Sequence, residues 1–427
     1  MDKINLKPAK RLKGTIQLKG DKSISHRAVM IASIAEGRSN IKNFPKSEDC
    51  LATVMAFQKL GVDIDFSGDE VIVVGKGLRG LRKPEGNIYL GNSGTSMRLI
   101  SGVLAGQNFD STLTGDESLS KRPMDRIIMP LRQMGADITG REDRYAPLVI
   151  KGGVLNPIKY KTDVPSAQVK SALIFAALYA DGPSEISEPL KSRDHTERLL
   201  SLFGAKMIIE DLNIAVCNDP DLKGKDITVP GDVSSAAFFI VGALILGGSE
   251  IVIKDLLFNR TRFGIMDVLK DMGADINVEK KRFNGFEETC DLIVNASELK
   301  GVKVGRDLIP SIIDELPVLL VAALFAQGDT TIEGAGELRV KETDRIASMT
   351  EALTRMGADI SVKGDDICVR GQVPLRGAKL DSLGDHRTAM SLAIASLAAD
   401  GECEIKGIEC VNTSLPDFFK FLDSLRR

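Results

Sequence analysis

The amino-acid sequence predicts an α/β (α+β) fold of two similar domains, each made of three β-α-β-α-β-β repeats with buried helices. Three observations predict it: a buried helix recurs six times, an amphipathic helix recurs with it, and alternating strands complete each copy. At 427 residues the chain is longer than one hydrophobic core usually supports, and 43% of its residues are hydrophobic, which is enough for two cores.

The first helix of each repeat follows a polar loop, consists of small and apolar residues, and ends at a glycine. Because such a helix is apolar nearly all round, we expect it to be buried, with only its ends reaching solvent. The six copies are GDKSISHRAVMIASIAEG (20–37), GNSGTSMRLISGVLAG (91–106), VPSAQVKSALIFAALYADG (164–182), PGDVSSAAFFIVGALILGG (230–248), IPSIIDELPVLLVAALFAQG (309–328) and GDHRTAMSLAIASLAADG (384–401).

A second, amphipathic helix in each repeat ends at a glycine that we expect to be a left-handed C-cap before a strand. Alternating stretches such as VIVVG (71–75) and PLVIKG (147–152) then predict strands. A sixth amphipathic segment, 417–425, stops where its glycine would come. The five glycine junctions are LGVDI (60–64), MGADI (134–138), FGAKM (203–207), MGADI (272–276) and MGADI (356–360).

The repeat divides the chain into halves, because GTIQLKGD (14–21) aligns with DITVPGDVS (226–234). We therefore expect one domain at 21–230 and the other at 1–20 plus 231–427. Strands missing at one end of the chain should be supplied from the other, and the active site should lie in the interdomain cleft.

Composition excludes several classes of partner. Lys+Arg 56 against Asp+Glu 59 gives a net charge of -3, which argues against nucleic acid and against an anionic membrane. The longest apolar runs are about half the ~20 residues needed to span a bilayer. The first residues, MDKINLKPAKRLKG, have no apolar segment typical of a secretory signal, and the six cysteines form no CxxC pair. We expect a cytoplasmic monomer with reduced, buried thiols.

Metal and nucleotide motifs are missing from the sequence. Its three histidines are far apart, and it contains neither HExxH nor the glycine-rich patterns GxxxxGK[ST] and GxGxxG. We therefore expect no metal and no cofactor.

Polar and basic residues gather at the helix starts. A helix N-terminus favours bound anions, so six buried helices with their starts aimed at one place would hold a multiply charged small anion. The alternative is that these residues are ordinary helix caps and surface charge. At the first helices they are Lys22, Ser23, Arg27, Asn92, Gly94, Thr95, Arg98, Ser166, Gln168, Ser234, Asp314, His386 and Arg387, and near the second helices Arg122, Arg193, Arg262, Lys341 and Arg345.

In six motifs the chain closely resembles the 5-enolpyruvylshikimate-3-phosphate synthase family: GDKSISHR, GNSGTSMRL, SKRPMDR, PSAQVKSAL, RVKETDR and GDHR. The resemblance implies the enolpyruvyl transferase-like fold, an inside-out α/β barrel whose two domains close on shikimate 3-phosphate and phosphoenolpyruvate. It also implies a step of the shikimate pathway to chorismate and the aromatic amino acids, and a target of glyphosate.

Carried over by position, the resemblance assigns contacts to both substrates. The chain departs from the family pattern at three positions: Ala167, His195 and Thr413 stand where members often have Ser, Tyr and Lys. The implied contacts are Lys22, Ser23, Arg27, Ser166, Gln168, Asp314 and Lys341 for shikimate 3-phosphate; Lys22, Asn92, Gly94, Arg122, Gln168, Arg345 and Arg387 for phosphoenolpyruvate; and Ser192, Arg193 and His386 as further candidates.

The implied reaction needs acid/base groups, because joining a hydroxyl to C2 of phosphoenolpyruvate adds a proton to C3 and removes one from the hydroxyl. Asp314 is the candidate for the hydroxyl proton, and a helix cap or a surface carboxylate is its alternative. Glu342, or Lys22, is the candidate for the proton on C3. Glu342 lies between Lys341 and Arg345, so a simple salt bridge is its alternative.

The sequence disfavours two other functions, a related enolpyruvyl transfer and non-catalytic binding. The related UDP-N-acetylglucosamine enolpyruvyl transferases carry a reactive cysteine in the loop equivalent to TGDESLSKRPMD (114–125), and this loop has none. A non-catalytic scaffold that binds anions or nucleic acid is disfavoured by the acidic balance, the lack of tryptophan and the presence of both candidate acid/base residues.

Overall fold

The computed structural model describes residues 2–427, which fold into two compact units. The split unit comprises residues 2–18, 230–283 and 287–427, and the central unit comprises 19–229 and 284–286.

The strands of both units are short, most of them two to nine residues long. They are β1 (Lys3–Leu6), β2 (Lys13–Gln17), β3 (Glu36–Lys42), β4 (Asp63–Ser67), β5 (Glu70–Lys76), β6 (Ile88–Tyr89), β7 (Asp110–Thr114), β8 (Asp137–Arg141), β9 (Tyr145–Lys151), β10 (Lys159–Lys161), β11 (Ser184–Ser187), β12 (Met207–Glu210), β13 (Asn213–Val216), β14 (Ile227–Thr228), β15 (Glu250–Leu257), β16 (Asp275–Phe283), β17 (Glu288–Asn295), β18 (Lys303–Val304), β19 (Asp329–Ile332), β20 (Ile360–Lys363), β21 (Asp366–Arg370), β22 (Lys379–Asp381) and β23 (Cys403–Lys406).

The helices alternate with these strands. They are α1 (Lys22–Ile34), α2 (Glu48–Lys59), α3 (Gly94–Ala105), α4 (Asp125–Gln133), α5 (Ala167–Ala177), α6 (His195–Phe203), α7 (Val233–Ile245), α8 (Gly264–Asp271), α9 (Ile309–Ile312), α10 (Leu316–Leu324), α11 (Arg345–Arg355), α12 (His386–Leu397) and α13 (Phe418–Leu425).

Five four-stranded sheets share one topology, which confirms the predicted repeat. Counted within one repeat, the first strand pairs parallel with the second, the second pairs antiparallel with the fourth, and the fourth pairs antiparallel with the third. In one sheet the place of the first strand is taken by β14, which comes later in the chain than its three partners. The orders are β14-β3-β5-β4, β6-β7-β9-β8 and β10-β11-β13-β12 in the central unit, and β2-β15-β17-β16 and β18-β19-β21-β20 in the split unit.

The N-terminal residues complete two sheets of the split unit. Strand β2 lies parallel to β15 and is the first strand of its sheet. The sixth repeat lacks its own final hairpin, and β1 lies antiparallel to β23 in the place of the fourth strand. The expectation that one end of the chain supplies strands missing at the other is therefore confirmed.

The first helix of each repeat is buried, as its composition predicts. All residues of α10 and α12 are buried, and α1 is buried from Ile24 to Ile34. In the split unit, α7, α10 and α12 pack against one another, and in the central unit α3 packs against both α1 and α5. In α1 only the first two residues, Lys22 and Ser23, are not buried, whereas α12 is buried from its polar start onward.

The glycines that follow the amphipathic helices all have positive φ, which only glycine adopts without strain and which confirms the predicted C-caps. Their φ angles are 87° at Gly61, 88° at Gly135, 111° at Gly204, 91° at Gly273 and 100° at Gly357.

The segment 309–328 contains a short extra helix in the polar loop that was predicted before the buried helix. It is divided into α9 and α10, with a break at Ile313 to Glu315. Pro317 is the physical reason, because its ring would clash with the carbonyl of Ile313 and its nitrogen has no proton to donate in a continuous helix. The break leaves Asp314 two residues before the first turn of buried α10, rather than within a helix.

The six cysteines are free, as expected, but only half of them are buried. Cys217 is exposed, and Cys368 and Cys410 are half-buried. Within residues 2–427, every helix is too short or too polar to cross a lipid bilayer.

Candidate active site

The start of α1 is anchored by a buried aspartate. The side chain of Asp21 caps the helix by accepting a hydrogen bond from the Ile24 amide at 2.9 Å. Lys22, the first helical residue, places its Nζ 2.7 Å from Asp49 Oδ2, with 17% of the lysine side chain exposed. This ion pair keeps the Lys22 ammonium group near the N-terminus of α1. Both the ammonium group and the helix N-terminus attract a bound anion.

Arg27 lies one turn further along α1 and is 2% exposed. It donates to the Ser23 carbonyl at 2.9 Å, to Thr196 Oγ1 at 2.6 Å and to Ser171 Oγ at 2.9 Å. All three acceptors are neutral oxygens. Arg27 therefore brings a positive charge into the group of helix starts and joins α1 to α5 and α6.

The start of α3 collects three of the predicted residues. Arg122 donates to the side-chain oxygen of Asn92, and Asn92 donates to Asp116 Oδ2 at 2.7 Å. A Cβ added at Gly94 would lie 2.9 Å from Arg98 NH1 and 3.3 Å from Arg122 NH1. Glycine at this position therefore leaves room for the guanidinium groups that approach the helix start.

The start of α5 is linked to α3 through Gln168. Its amide oxygen accepts from Arg98 at 2.8 Å, and its amide nitrogen donates to Thr95 Oγ1 at 2.9 Å. Ser166 caps α5 by accepting from the Val169 amide. The predicted residues of these two starts are therefore brought together within the central unit.

His26 lies behind these starts and is completely buried. Its Nδ1 lies 2.6 Å from Thr53 Oγ1, which in turn lies 2.7 Å from Ser96 Oγ on α3. Burial, together with the nearby charges of Lys22 and Arg27, lowers the pKa of His26 well below its ordinary value. His26 is therefore neutral at pH 7 and joins α1 to α3 through Thr53 and Ser96.

A buried arginine surrounded by carboxylates defines the site of the split unit. Arg345, 1% exposed, lies 2.6 Å from Glu342 Oε2, 2.8 Å from Asp385 Oδ2 and 3.8 Å from Asp314 Oδ1. Burial opposes its charge, but the three carboxylates outweigh burial and raise the pKa of Arg345. The predicted salt bridge of Glu342 is present in the structure.

Arg387 completes this carboxylate cluster. Its NH1 donates to the Asp314 carbonyl at 2.8 Å, and its NH2 lies 3.7 Å from Asp314 Oδ2. The Asp314 side chain is 18% exposed and does not cap α10, whose N-cap residue is Glu315. The helix-cap alternative for Asp314 is therefore wrong.

Asp385 was missed by the sequence interpretation. Fully buried, it caps α12 through the amides of Arg387 and Thr388 and also accepts from Arg345 Nε. The signal was available in the motif GDHR, since Asp before a buried helix is a strong N-cap pattern.

The other predicted residues lie at the edges of these clusters. Lys341 is half-buried and follows the 3-10 helix Ala335–Val340. His386 is the first residue of α12 and is 2% exposed. Ser192 and Arg193 lie in the loop between β11 and α6, with Ser192 buried and Arg193 half-buried.

Arg262 and Ser234, also expected at an anion site, belong to a buried polar network instead. Arg262 NH2 donates to Ser234 Oγ at 2.8 Å and lies 3.4 Å from Asp232 Oδ1. Ser234 donates to Glu315. These cations and donors meet carboxylates of their own unit, and since both residues are buried and Asp232 is the cap of α7, they are not surface charge or helix caps either.

The geometry thus defines two chemically different clusters. The central unit presents helix N-termini with Lys22, Arg27, Arg98 and Arg122, which suits phosphate and carboxylate groups. The split unit presents carboxylates held by arginines, which suits proton transfer beside an anion.

Comparison with solved structures first gives the class of protein. The fold is that of the enolpyruvyl transferases: the enolpyruvyl transferase NikO from Streptomyces tendae matches with a TM-score of 0.80, covering 99% of this chain and 97% of that chain. At 18% identity, this match shows the fold alone. A structure of EPSP synthase from Acinetobacter baumannii matches with a TM-score of 0.89 at 43% identity, covering 100% of this chain and 98% of that chain.

The chain belongs to the EPSP synthase (3-phosphoshikimate 1-carboxyvinyltransferase) family, whose model matches residues 6–422. A 3-phosphoshikimate 1-carboxyvinyltransferase from Thermoanaerobacter sp. (strain X514) is 50% identical over 422 residues, which is 99% of this chain and 100% of the relative. The resemblance drawn from the six motifs is therefore confirmed.

Proposed function

We propose that this chain catalyses the reaction for which its family is named. The enolpyruvyl group of phosphoenolpyruvate is transferred to the 5-hydroxyl of shikimate 3-phosphate, giving 5-enolpyruvylshikimate 3-phosphate and phosphate. This is a step in the synthesis of chorismate and the aromatic amino acids, and the family is the target of glyphosate.

One observation carries the assignment of the reacting groups. Buried Arg345 holds Asp314 and Glu342 on two sides, at 3.8 and 2.6 Å, so two carboxylates that can exchange protons lie beside one fixed cation. A guanidinium in this place can also bind the carboxylate or phosphate of phosphoenolpyruvate with two parallel hydrogen bonds.

The reaction proceeds by addition and then elimination. A proton is added to C3 of phosphoenolpyruvate, the 5-oxygen forms a bond to C2, and the hydroxyl proton passes to Asp314, which gives a tetrahedral intermediate. The C2–O bond to phosphate then breaks and the leaving phosphate takes up the proton held by Asp314, while C3 returns a proton to the group that supplied it and the double bond is restored. The steps balance with the two substrates alone.

Glu342 is the proposed donor and acceptor of the C3 proton. Its side chain is 18% exposed and paired with Arg345. A neighbouring cation favours the carboxylate form, whereas an acid must carry a proton, so exclusion of water around the bound substrates has to compensate. Lys22 is the other candidate for this proton.

The substrate contacts are proposed from the helix starts. Lys22, with its ion pair to Asp49, would serve both substrates. The remaining contacts of shikimate 3-phosphate are Ser23, Arg27, Ser166, Gln168, Asp314 and Lys341; those of phosphoenolpyruvate are Asn92, Gly94, Arg122, Gln168, Arg345 and Arg387. Ser192, Arg193 and His386 are further candidates for contact with the substrates.

The experiment mixes the protein with both substrates and measures phosphate release. Asp314→Asn removes the proton acceptor and is expected to lower kcat by about 10²–10⁴-fold, the usual contribution of such a group. Asp359→Asn, at an exposed carboxylate of the same unit, should leave kcat unchanged. A wild-type protein that releases no phosphate would contradict the function, and an Asp314→Asn variant with normal turnover would contradict the role of Asp314.

Closure on the substrates, the monomeric state and the cytoplasmic location stay predictions. Small-angle scattering before and after addition of shikimate 3-phosphate tests the first two, since compaction and molecular mass are read from the same curves.

A further inference from the structure

A buried cluster of three charges lies in the central unit behind the starts of α5 and α6. Lys170 Nζ on α5 lies 2.7 Å from Glu188 Oε1 and 2.8 Å from Glu197 Oε1 on α6. The side chains are 0%, 1% and 1% exposed. The cluster holds one positive and two negative formal charges away from solvent.

Such a cluster adds little to the stability of the fold, because removing charges from water costs free energy that apolar side chains of the same volume would not cost. Burial opposes the charge of Lys170, but Glu197 and Glu188 outweigh burial and raise the pKa of Lys170, so the lysine stays cationic. What a buried ion cluster can supply is one fixed arrangement of the elements that contribute to it.

The elements joined here carry residues proposed to contact shikimate 3-phosphate. Lys170 lies two positions after Gln168 and one turn after the cap residue Ser166. Glu188 accepts hydrogen bonds from the amide of Ser192, at 3.2 Å, and from its hydroxyl. The cluster therefore connects the start of α5 directly to the loop before α6.

The neighbouring positions extend the connection to α1. Ser171 follows Lys170, and Thr196 precedes Glu197; their hydroxyl oxygens lie 2.7 Å apart. Both hydroxyls accept from the Arg27 guanidinium, at 2.9 and 2.6 Å. Adjacent residues of α5 and α6 are thus paired: Lys170 with Glu197 by an ion pair, and Ser171 with Thr196 through their shared contact with Arg27.

We propose that Lys170 is a positioning residue for shikimate 3-phosphate: through Glu188 and Glu197 it fixes the loop of Ser192 and the start of α6 against the start of α5. The inference rests on the proposed function, since it takes its substrate from there. The Lys170 ammonium is paired with Glu188 and Glu197, so we expect it to act through these neighbours.

The test compares Lys170→Met with Leu173→Ala, which removes apolar packing from a fully buried position on the same helix. Lys170→Met is expected to raise the KM and the calorimetric Kd for shikimate 3-phosphate at least tenfold. The KM for phosphoenolpyruvate, measured at saturating shikimate 3-phosphate, should change less than threefold. Leu173→Ala should lower Tm and leave both KM values within twofold of wild type.

A second variant covers the case in which Lys170→Met does not fold. Glu197→Gln keeps the size of the side chain and leaves Lys170 paired with Glu188, and it is expected to raise the KM for shikimate 3-phosphate at least threefold. Variants that lower Tm as Leu173→Ala does, with unchanged Kd and KM for shikimate 3-phosphate, would overturn the proposal. Phosphate release by the wild type is measured first, because its failure contradicts the proposed function and not the positioning role.

Discussion

Asp385 offers the sharpest test of how the carboxylate cluster is held. Its side chain performs two tasks at 0% exposure: it caps α12 through two backbone amides, and it accepts from Arg345 Nε at 2.8 Å. Asp385→Ala removes both tasks. Loss of a buried ion-pair partner costs about 3–5 kcal/mol and loss of a cap about 1 kcal/mol, so we expect a loss of about 4–6 kcal/mol.

Asp385→Asn separates the two tasks. The amide oxygen still caps the helix, while the charged hydrogen bond to Arg345 is weakened, which costs about 2 kcal/mol. Asp344→Ala is the matched control: Asp344 caps α11 by accepting from the Ala347 amide at 3.0 Å, but its side chain is 37% exposed. That variant should lose only about 1 kcal/mol.

The assay is urea unfolding followed by circular dichroism, together with steady-state kinetics. With Arg345 less firmly held, the KM for phosphoenolpyruvate should rise about tenfold in Asp385→Asn, which corresponds to about 1.4 kcal/mol. The reasoning is refuted if Asp385→Ala costs no more than Asp344→Ala, or if Asp385→Asn and Asp385→Ala are equally destabilising.

Three further outcomes are expected. Gly94→Ala places a Cβ 2.9 Å from Arg98 NH1 and 3.3 Å from Arg122 NH1, so the guanidiniums must move and the KM for phosphoenolpyruvate should rise several-fold in steady-state kinetics; an unchanged KM contradicts this. The pKa of buried His26 is depressed, so the unfolded chain binds the proton first; stability is complete above the ordinary pKa of 6.5 and falls below it, at up to about 1.4 kcal/mol per pH unit. Urea unfolding at pH 7.5 and 5.5 should show a smaller loss in His26→Asn, and equal losses would refute this. Pro317→Ala permits a continuous helix across the break, so kcat should fall while Tm is kept or raised; a normal kcat would show that the break is not needed.

The repeat was predictable because the apolar pattern of a helix and the glycine at its end are local properties of the sequence. Helices without a polar face, such as 230–248, must be buried, and a glycine such as Gly135 at a helix end marks the turn into a strand. The start of the buried helix near Asp314 was predictable too, since Pro317 is favoured in a first helical turn, whereas the short helix α9 before it was not predicted.

The pairing of charges was not predictable in the same way. Arg262 and Arg345 occupy similar places before their helices in the sequence, yet Arg262 meets Ser234 and Asp232, whereas Arg345 meets Glu342, Asp314 and Asp385. Which carboxylate reaches a buried arginine depends on contacts between residues tens of positions apart, and the helix period does not specify them. For the same reason the partners of Lys170, at positions 188 and 197, came only from the structure.

The N-terminal strands set the order in which the polypeptide can fold as it leaves the ribosome. Strand β14 closes the last incomplete sheet of the central unit by residue 228, so that unit can form from a nearly continuous stretch in the middle of synthesis. The first strands to emerge, β1 and β2, must wait for β23 and β15. Arg427 donates its amide to the Arg11 carbonyl at 3.1 Å, so it lies beside the segment between β1 and β2. A circular permutant that links residue 427 to residue 2 and opens the chain between β14 and α7 would turn both units into nearly continuous stretches. Its refolding rate would show how much the late pairing of β1 and β2 slows folding of the split unit.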